Sequence, residues 1–483
     1  MTDSATVQLT GESTWADLWR AGVLQRFIVL GFGVWLHASN ASLVSTLIPS
    51  AVLDIGGVAF LSWASVLYQV GSIVAGAAAG LLAVRFGLRT AMMVSAAAFA
   101  VGCVICALAP DMTVLLGGRL IKGAGGGALV ALTHVAIVEL FPGRIMPRMI
   151  ALVSAIWGVS AFCGPAVGGG FAEFGLWRVG FAAFAAQAIV YLAAVGWVLR
   201  DRDTDVQSHE GTFPRIRLVL LSAAIMAIAS AGVIGFTWQA GVLAIAGLVL
   251  LAAFFRRDAH AGDSRLYPRS AYDLSRSTLW GLAMIGLCFF GTITFTVYGP
   301  LLIQLLHGAR PITGGVLVAV ESVAWSVAAI AFSGAAALWH PWLIRAAAAL
   351  LILGVLGMAL IMPNGPVWAL APFLVCVGAG FGMSFGYITQ RIVAGADGND
   401  RARASAAIPT TQMIGYALGA SAVGFIANGL GFSDDAPRDV LESVGFWSFA
   451  AFLPIVIAGA VAALRVAGPI GEEAVSRAAA EEG

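Results

Sequence analysis

Lysine is almost absent from this sequence: Lys122 stands alone in 483 residues, and every other basic side chain among the 26 lysines and arginines is arginine. Charge of either sign is scarce, at 11% of residues, where a soluble domain carries roughly 25%. With a net charge of +1 the chain has no field suited to holding nucleic acid. Cysteine is limited to Cys103, Cys106, Cys163, Cys288 and Cys376, all inside apolar runs. Cys103 and Cys106 lack a second ligand pair, so these residues read as small core side chains and not as a metal or redox site. No nucleotide-binding loop, metal-ligand cluster or nucleophile motif is found, which argues against an enzyme and against a cofactor. The 26 residues before the first apolar run are too many and too acidic for a cleaved leader, which would keep the N-terminus in the cytoplasm.

What the chain has in abundance is apolar surface: 60% of residues are hydrophobic and the mean hydropathy is +0.93. Such a chain belongs in a bilayer, where a helix needs about 20 apolar residues to cross. Six runs of suitable length fall at 27–50, 61–83, 90–109, 113–140, 149–172 and 178–199, and six more at 279–305, 313–337, 345–362, 366–389, 405–429 and 446–466. Between them, 217–255 is long enough for a hairpin of two short spans, with Arg215 and Arg217 before it and Arg256 and Arg257 after it. The expected fold is therefore all-α and integral to the membrane, with two six-helix bundles (27–200 and 279–466), two extra central helices within the linker 201–278, and 14 spans in all. Cytoplasmic termini at 1–26 and 467–483 follow from charge. With the N-terminus inside, 21 of the 26 cations lie in inner segments, and only Arg178, Arg310 and Arg438 lie in outer loops. Ahead of the first span, Thr14 and Asp17 have capping-box spacing, and Trp15, Leu18, Trp19 and Val23 share a face, which suggests an interfacial helix.

The two remaining cations, Arg119 and Lys122, lie inside the fourth run. A cation within a span costs at least about 2.5–3.5 kcal/mol on insertion scales, so both need partners, water or a ligand. At 100° per residue, Arg119, Lys122, Gly123, Gly126, Val130 and His134 share a broad face, expected to look into a central cavity. Glu321 is the acid that lies well inside a span, at a depth matching that of Lys122. Two readings stand: a static ion pair between them, or a proton-exchanging Glu321 with Lys122 or Arg119 binding an anionic or strongly polar substrate group. His37 and His134 could titrate near neutral pH. Asn40, Gln69, Tyr68, Trp157, Thr294 and Gln304 could supply polar and aromatic contacts along the same path.

Several local patterns carry a family resemblance. Gly80, Arg85, Gly87 and Arg89 in GLLAVRFGLRT resemble the loop signature of the major facilitator superfamily, with Val84 where an acid is usual. RLIKGAGGG at 119–127, including Gly123 and Gly127, is similar to that family's fourth-span pattern, with Lys122 in place of glutamine. Gly158, Gly164, Pro165, Gly168 and Gly169 look like the fifth-span signature of its antiporter branches, with the first spacing longer by two residues. The stretch 40–49 resembles the end of the branch's first span, with Asn40 where an acid is usual; YGPLLIQ at 298–304 resembles the second half of 14-span drug:proton antiporters. The resemblance implies a proton-coupled exporter of organic compounds in the cell membrane, working by alternating access, with a small anionic or amphiphilic molecule, protons and lipid as partners. The alternatives are a proton-independent facilitator or importer of an organic anion and, from another class, a non-transporting membrane sensor or scaffold.

Overall fold

The structure is a computed structural model and describes residues 23–141, 146–200 and 214–467. The interfacial helix expected near residues 14–22, most of the linker at 201–213 and the tail after 467 lie outside the described residues. In lipid each backbone polar group must be satisfied within its own segment, so apolar runs of this length form helices. The described elements are α1 (Val23–Ile55), α2 (Leu61–Phe86), α3 (Leu88–Ala107), α4 (Met112–Leu140), α5 (Met146–Glu173), α6 (Trp177–Val198), α7 (Arg215–Ile234) and α8 (Trp238–Ala259). They continue as α9 (Ser277–His307), α10 (Pro311–Phe332), α11 (His340–Ile361), α12 (Ala371–Ala394), α13 (Arg401–Gly429) and α14 (Arg438–Ala467). Short 3-10 turns lie between some of these helices.

Among the described residues, 12 helices are long and apolar enough to cross a membrane, and the count is 13 if the bent pair in α1, Arg26–Asn40 and Ser45–Ile55 meeting at 53°, is one span. α13 is continuous over 29 residues but is not among them, because Arg401, Arg403 and the polar run at 410–412 dilute its apolar character.

Helices α1 to α6 pack as one group and α9 to α14 as another, while α7 and α8 pair as a hairpin with α7 against α13. The glycines of α4 explain how the first group closes. A Cβ on Gly123 would sit 2.1 Å from the Tyr68 carbonyl oxygen, and one on Gly127 would sit 2.3 Å from that of Ser72, so these two let α2 lie backbone to backbone on α4. Gly125 turns the other way, where a Cβ would meet the Phe99 nitrogen of α3 at 2.4 Å. The glycine cluster therefore serves two neighbours at once, which offsets its low helix propensity.

The halves meet mainly through α5 with α10 and α2 with α13. A Cβ on Gly315 would fall 2.3 Å from the Pro165 oxygen, and one on Gly169 would lie 3.2 Å from the Ile312 Cα. Arg310 is paired with Glu173, and Asn428 Nδ2 donates to the Ala59 and Gly232 oxygens at 2.9 and 2.7 Å. Among the described residues, the hydrogen bonds and ion pairs joining 27–200 to 279–466 lie at this one end, formed by the last turn of α5, the first turn of α10, the α1–α2 turn and the end of α13.

Replacing Gly123 by Leu should push α2 off α4, an overpacking cost of about 1–3 kcal/mol or more, and lower the thermal unfolding midpoint in detergent. Gly80→Ala, where no atom lies within 4 Å of the added Cβ, should leave it unchanged or raise it.

Candidate functional site

α4 presents Arg119 to α1 and α2. The side chain is 2% exposed; Nε donates to the Ala64 carbonyl at 2.7 Å, Nη1 donates to Asn40 Oδ1 at 3.2 Å, and the guanidinium stands 4.5 Å from the Tyr68 ring centroid. Tyr68 in turn shares a hydrogen bond of 2.8 Å with His37 Nδ1, and the Trp157 ring meets His37 edge-on at 5.7 Å between centroids. The cation is thus held by a carbonyl, an amide and a π face, each supplying partial negative charge where a carboxylate is absent. Asn40, at the position where the family resemblance expects an acid, is the amide. Its Nδ2 lacks an acceptor.

Lys122 departs from expectation. It does not look into a space between the halves and does not meet Glu321. Its side chain is fully buried, and Nζ stands 5.1, 4.8 and 4.9 Å from the ring centroids of Phe99, Phe181 and Phe184. No geometrically sound hydrogen bond reaches Nζ, although the Cys103 thiol is close enough to interact with it. Position explains the difference: Lys122 lies on the side of α4 that faces α3 and α6, where a Cβ on Gly102 would touch its backbone nitrogen at 2.4 Å. The shared face inferred from the sequence therefore splits. Arg119 and Gly123 turn toward α2, Lys122 toward α3 and α6, Gly126 toward Tyr68 and His37, and His134 is exposed with Nδ1 2.8 Å from the Val130 oxygen.

Glu321 sits midway along α10 in the other half and is half-buried. α12 presses on its backbone: a Cβ on Gly378 would lie 2.0 Å from the Glu321 oxygen, and one on Gly382 would lie 2.2 Å from that of Trp325. Around it stands an aromatic group, with Phe381 stacked between Trp325 at 5.0 Å and Phe289 at 4.5 Å, and Tyr416 edge-on to Phe289 at 4.9 Å. Tyr416 lies close enough to Glu321 to interact with it electrostatically. Among the described residues no cation pairs with the Glu321 carboxylate.

The other expected residues are dispersed. Gln304 donates back to the Pro300 carbonyl at 2.8 Å within α9, and Gln69 is half-buried on α2. In the loop motif, Gly80 and Arg85 are exposed, Gly87 takes φ 80° between α2 and α3, and Arg89 donates to the Gly196 carbonyl at 2.9 Å, tying α3 to α6. In the α5 motif, Gly164 and Gly168 are buried with Pro165, and a Cβ on Gly158 would lie 3.8 Å from Ser326 Oγ of the opposite half.

Other polar anchors escaped the sequence reading. Asp54 accepts from Trp177 Nε1 at 3.1 Å and pairs with Arg178. Asp258, fully buried, accepts from Arg217 Nη1 at 2.7 Å, from the Leu266 and Tyr267 N–H groups at 2.9 Å each, and from the Tyr272 hydroxyl at 2.9 Å. The loop it organises reaches α13 through Tyr267 and Thr411, 3.0 Å apart, and through the Arg269 N–H, which donates to Asp400. Burial alone would raise the Asp400 carboxyl, but the Arg269 N–H and the Arg403 guanidinium outweigh it and hold the group below the usual carboxylate range. That contact therefore contributes stability throughout the neutral range and loses it only as the pH falls through the lowered value. A solitary acid in RRDAH, at the foot of an apolar run, was the available signal for Asp258.

Two helical groups joined at one end, with buried polar centres in each, define a membrane transporter of the two-bundle kind. A family model described as Major Facilitator Superfamily matches residues 30–420, and the chain belongs to that superfamily. It is 33% identical over 419 residues to a Mycobacterium tuberculosis protein named probable multidrug-efflux transporter, covering 83% of this chain and 87% of that one. It is 24% identical over 296 residues to the multidrug efflux pump SdrM of Staphylococcus aureus, covering 60% of this chain and 65% of that protein. The crystal structure of a POT family transporter in complex with 5-aminolevulinic acid matches with a TM-score of 0.64 at 15% identity, over 90% of this chain and 96% of that chain, a likeness of fold. The protein is accordingly an integral plasma-membrane transporter of small molecules and not an enzyme.

Because phenylalanine rings surround Lys122 and no carboxylate does, replacing it by Met, which is apolar and flexible enough to fill the cage, should not lower the thermal unfolding midpoint. A fall of more than a few degrees would show that the charge is needed for folding. Anionic ligands should stabilise wild type and Lys122→Gln equally.

Proposed function

We propose that this transporter is a proton-coupled exporter of organic compounds, of the multidrug-efflux type, with 14 spans and both termini in the cytoplasm. The distribution of arginine supports that orientation. On it, the joined end carrying Glu173, Arg310 and Asn428 is the outer one. Alternating access then consists of opening the α5–α10 seam, where Gly169 and Gly315 hold two backbones together, while the inner ends close.

The observation that carries the coupling assignment is the isolation of Glu321: a half-buried carboxyl at mid-helix with no cation paired to it among the described residues. Both cations that lie mid-helix in the first half are engaged elsewhere, Arg119 by Ala64, Asn40 and Tyr68 and Lys122 by three phenylalanines. Glu321 thus has a charged and a neutral form to alternate between as water and substrate reach it. Engagement of Arg119 and Lys122 within their own bundle also weakens the reading of the protein as an organic-anion carrier, since that reading relied on cations free to bind substrate. His37, buried and bonded to Tyr68 beside Arg119, belongs to the same fixed polar centre of the first half.

In proteoliposomes, an imposed pH gradient should drive substrate accumulation by wild type. Glu321→Gln should abolish gradient-driven accumulation, a loss of tenfold or more, while retaining downhill exchange. Undiminished gradient-driven transport in that variant would remove Glu321 from the coupling path.

A further inference from the structure

At the foot of the α7–α8 hairpin lies a hollow of about 670 Å³ whose lining includes Ile216, Arg217, Arg256, Arg257, His260 and Ser264. Three arginines and a histidine line it, and the acid beside them is committed to Arg217, which leaves Arg256 and Arg257 unneutralised. Asp258 is fully buried, and its two oxygens are occupied by Arg217, the Leu266 and Tyr267 N–H groups and the Tyr272 hydroxyl. Arg217, 7% exposed, is fixed by Asp258 and by Ser264 Oγ at 3.1 Å, so it forms a preset wall of the hollow. Arg256 and Arg257 are exposed and have no ion pair or side-chain hydrogen bond among the described residues.

The hollow lies beside exposed apolar surface. Ile216 and Val219 on α7, and Ile245, Leu248 and Val249 on α8, are exposed apolar residues, and α8 is covered by the rest of the protein over little of its length. An apolar track therefore runs from the basic mouth along the hairpin. This pairing of charge and track is complementary to a phosphodiester attached to an acyl chain, because an arginine fork donates to two phosphate oxygens at a time while the chain covers the exposed helix face.

We infer that the hollow between the feet of α7 and α8 binds the headgroup of an anionic phospholipid, with the exposed Arg256 and Arg257 donating hydrogen bonds to its phosphate beside the fixed Arg217. The hairpin is then a lipid-anchoring element. Its bound lipid adjoins the Asp258 loop, which reaches α13 through the contact between Tyr267 and Thr411.

The test compares purified wild type, Arg256→Gln/Arg257→Gln and Arg438→Gln in detergent, reading the thermal unfolding midpoint with phosphatidylglycerol, phosphatidylcholine or inorganic phosphate added. Native mass spectrometry counts the lipids that remain bound. Wild type and Arg438→Gln should gain several degrees more from phosphatidylglycerol than from phosphatidylcholine and retain a lipid adduct. The double variant should lose both the excess shift and the adduct, with an unchanged midpoint in phosphatidylcholine showing that it is folded. If the double variant proves unstable, Arg257→Gln alone should lose at least half of the excess shift. An excess shift retained by the folded variants, or reproduced by inorganic phosphate alone, overturns the assignment to lipid.

Discussion

A guanidinium in the middle of a membrane helix needs acceptors, and the first half is assembled so that Arg119 has them. α2 offers a backbone carbonyl at Ala64 and a ring at Tyr68, and α1 offers the Asn40 amide. The two groups on α2 can reach Arg119 because Gly123 and Gly127 let α2 approach α4 to backbone contact. The glycine run and the buried cation are thus two parts of one requirement. A side chain larger than hydrogen at Gly123 would separate Tyr68 from the arginine it covers.

Lys122 meets the same burden by another route. Three aromatic rings surround its ammonium, and a cation desolvated against π faces recovers about 2 kcal/mol or more of attraction. This is a static solution, shared by α3, α4 and α6, and it turns the lysine away from the opposite half. With both mid-helix cations of the first half held within their own bundle, the carboxyl of Glu321 stands without a cation partner among the described residues of the second half, beside Trp325, Phe381 and Tyr416. The proposed division of labour follows: the first half carries its buried charge as structure, and the second carries the group that changes charge. The α5–α10 seam, with glycine on both sides, is where the two halves can part without dragging side chains past one another.

The sequence showed the class of molecule plainly, because apolar run length and the placement of arginine report directly on the bilayer. The glycine motifs were equally legible as close-packing sites, since a residue without a side chain has few other uses within a span. Partners were not legible. Phe99, Phe181 and Phe184 look like ordinary apolar residues until three helices bring them around one ammonium, and equal depth in the membrane could not distinguish a Lys122 facing Glu321 from one facing away. α13 shows the opposite limit: its polar first turns dilute its hydropathy, although packing against α2, α7 and α9 gives it a continuous helix. The loop around Asp258 read as a polar linker because two of the four groups that hold it are backbone N–H groups, which a sequence does not display.

The central claim is that Glu321 is the intramembrane group that exchanges a proton, while Arg119 and Lys122 stay engaged as structure. Infrared difference spectroscopy of the protein in lipid, recorded as the pH is stepped through the neutral range, reads this directly from the carboxylic-acid C=O stretch. The account predicts a titrating band that is absent from Glu321→Gln and unchanged in Lys122→Gln. An identical band in wild type and Glu321→Gln, or one lost in Lys122→Gln, would contradict it.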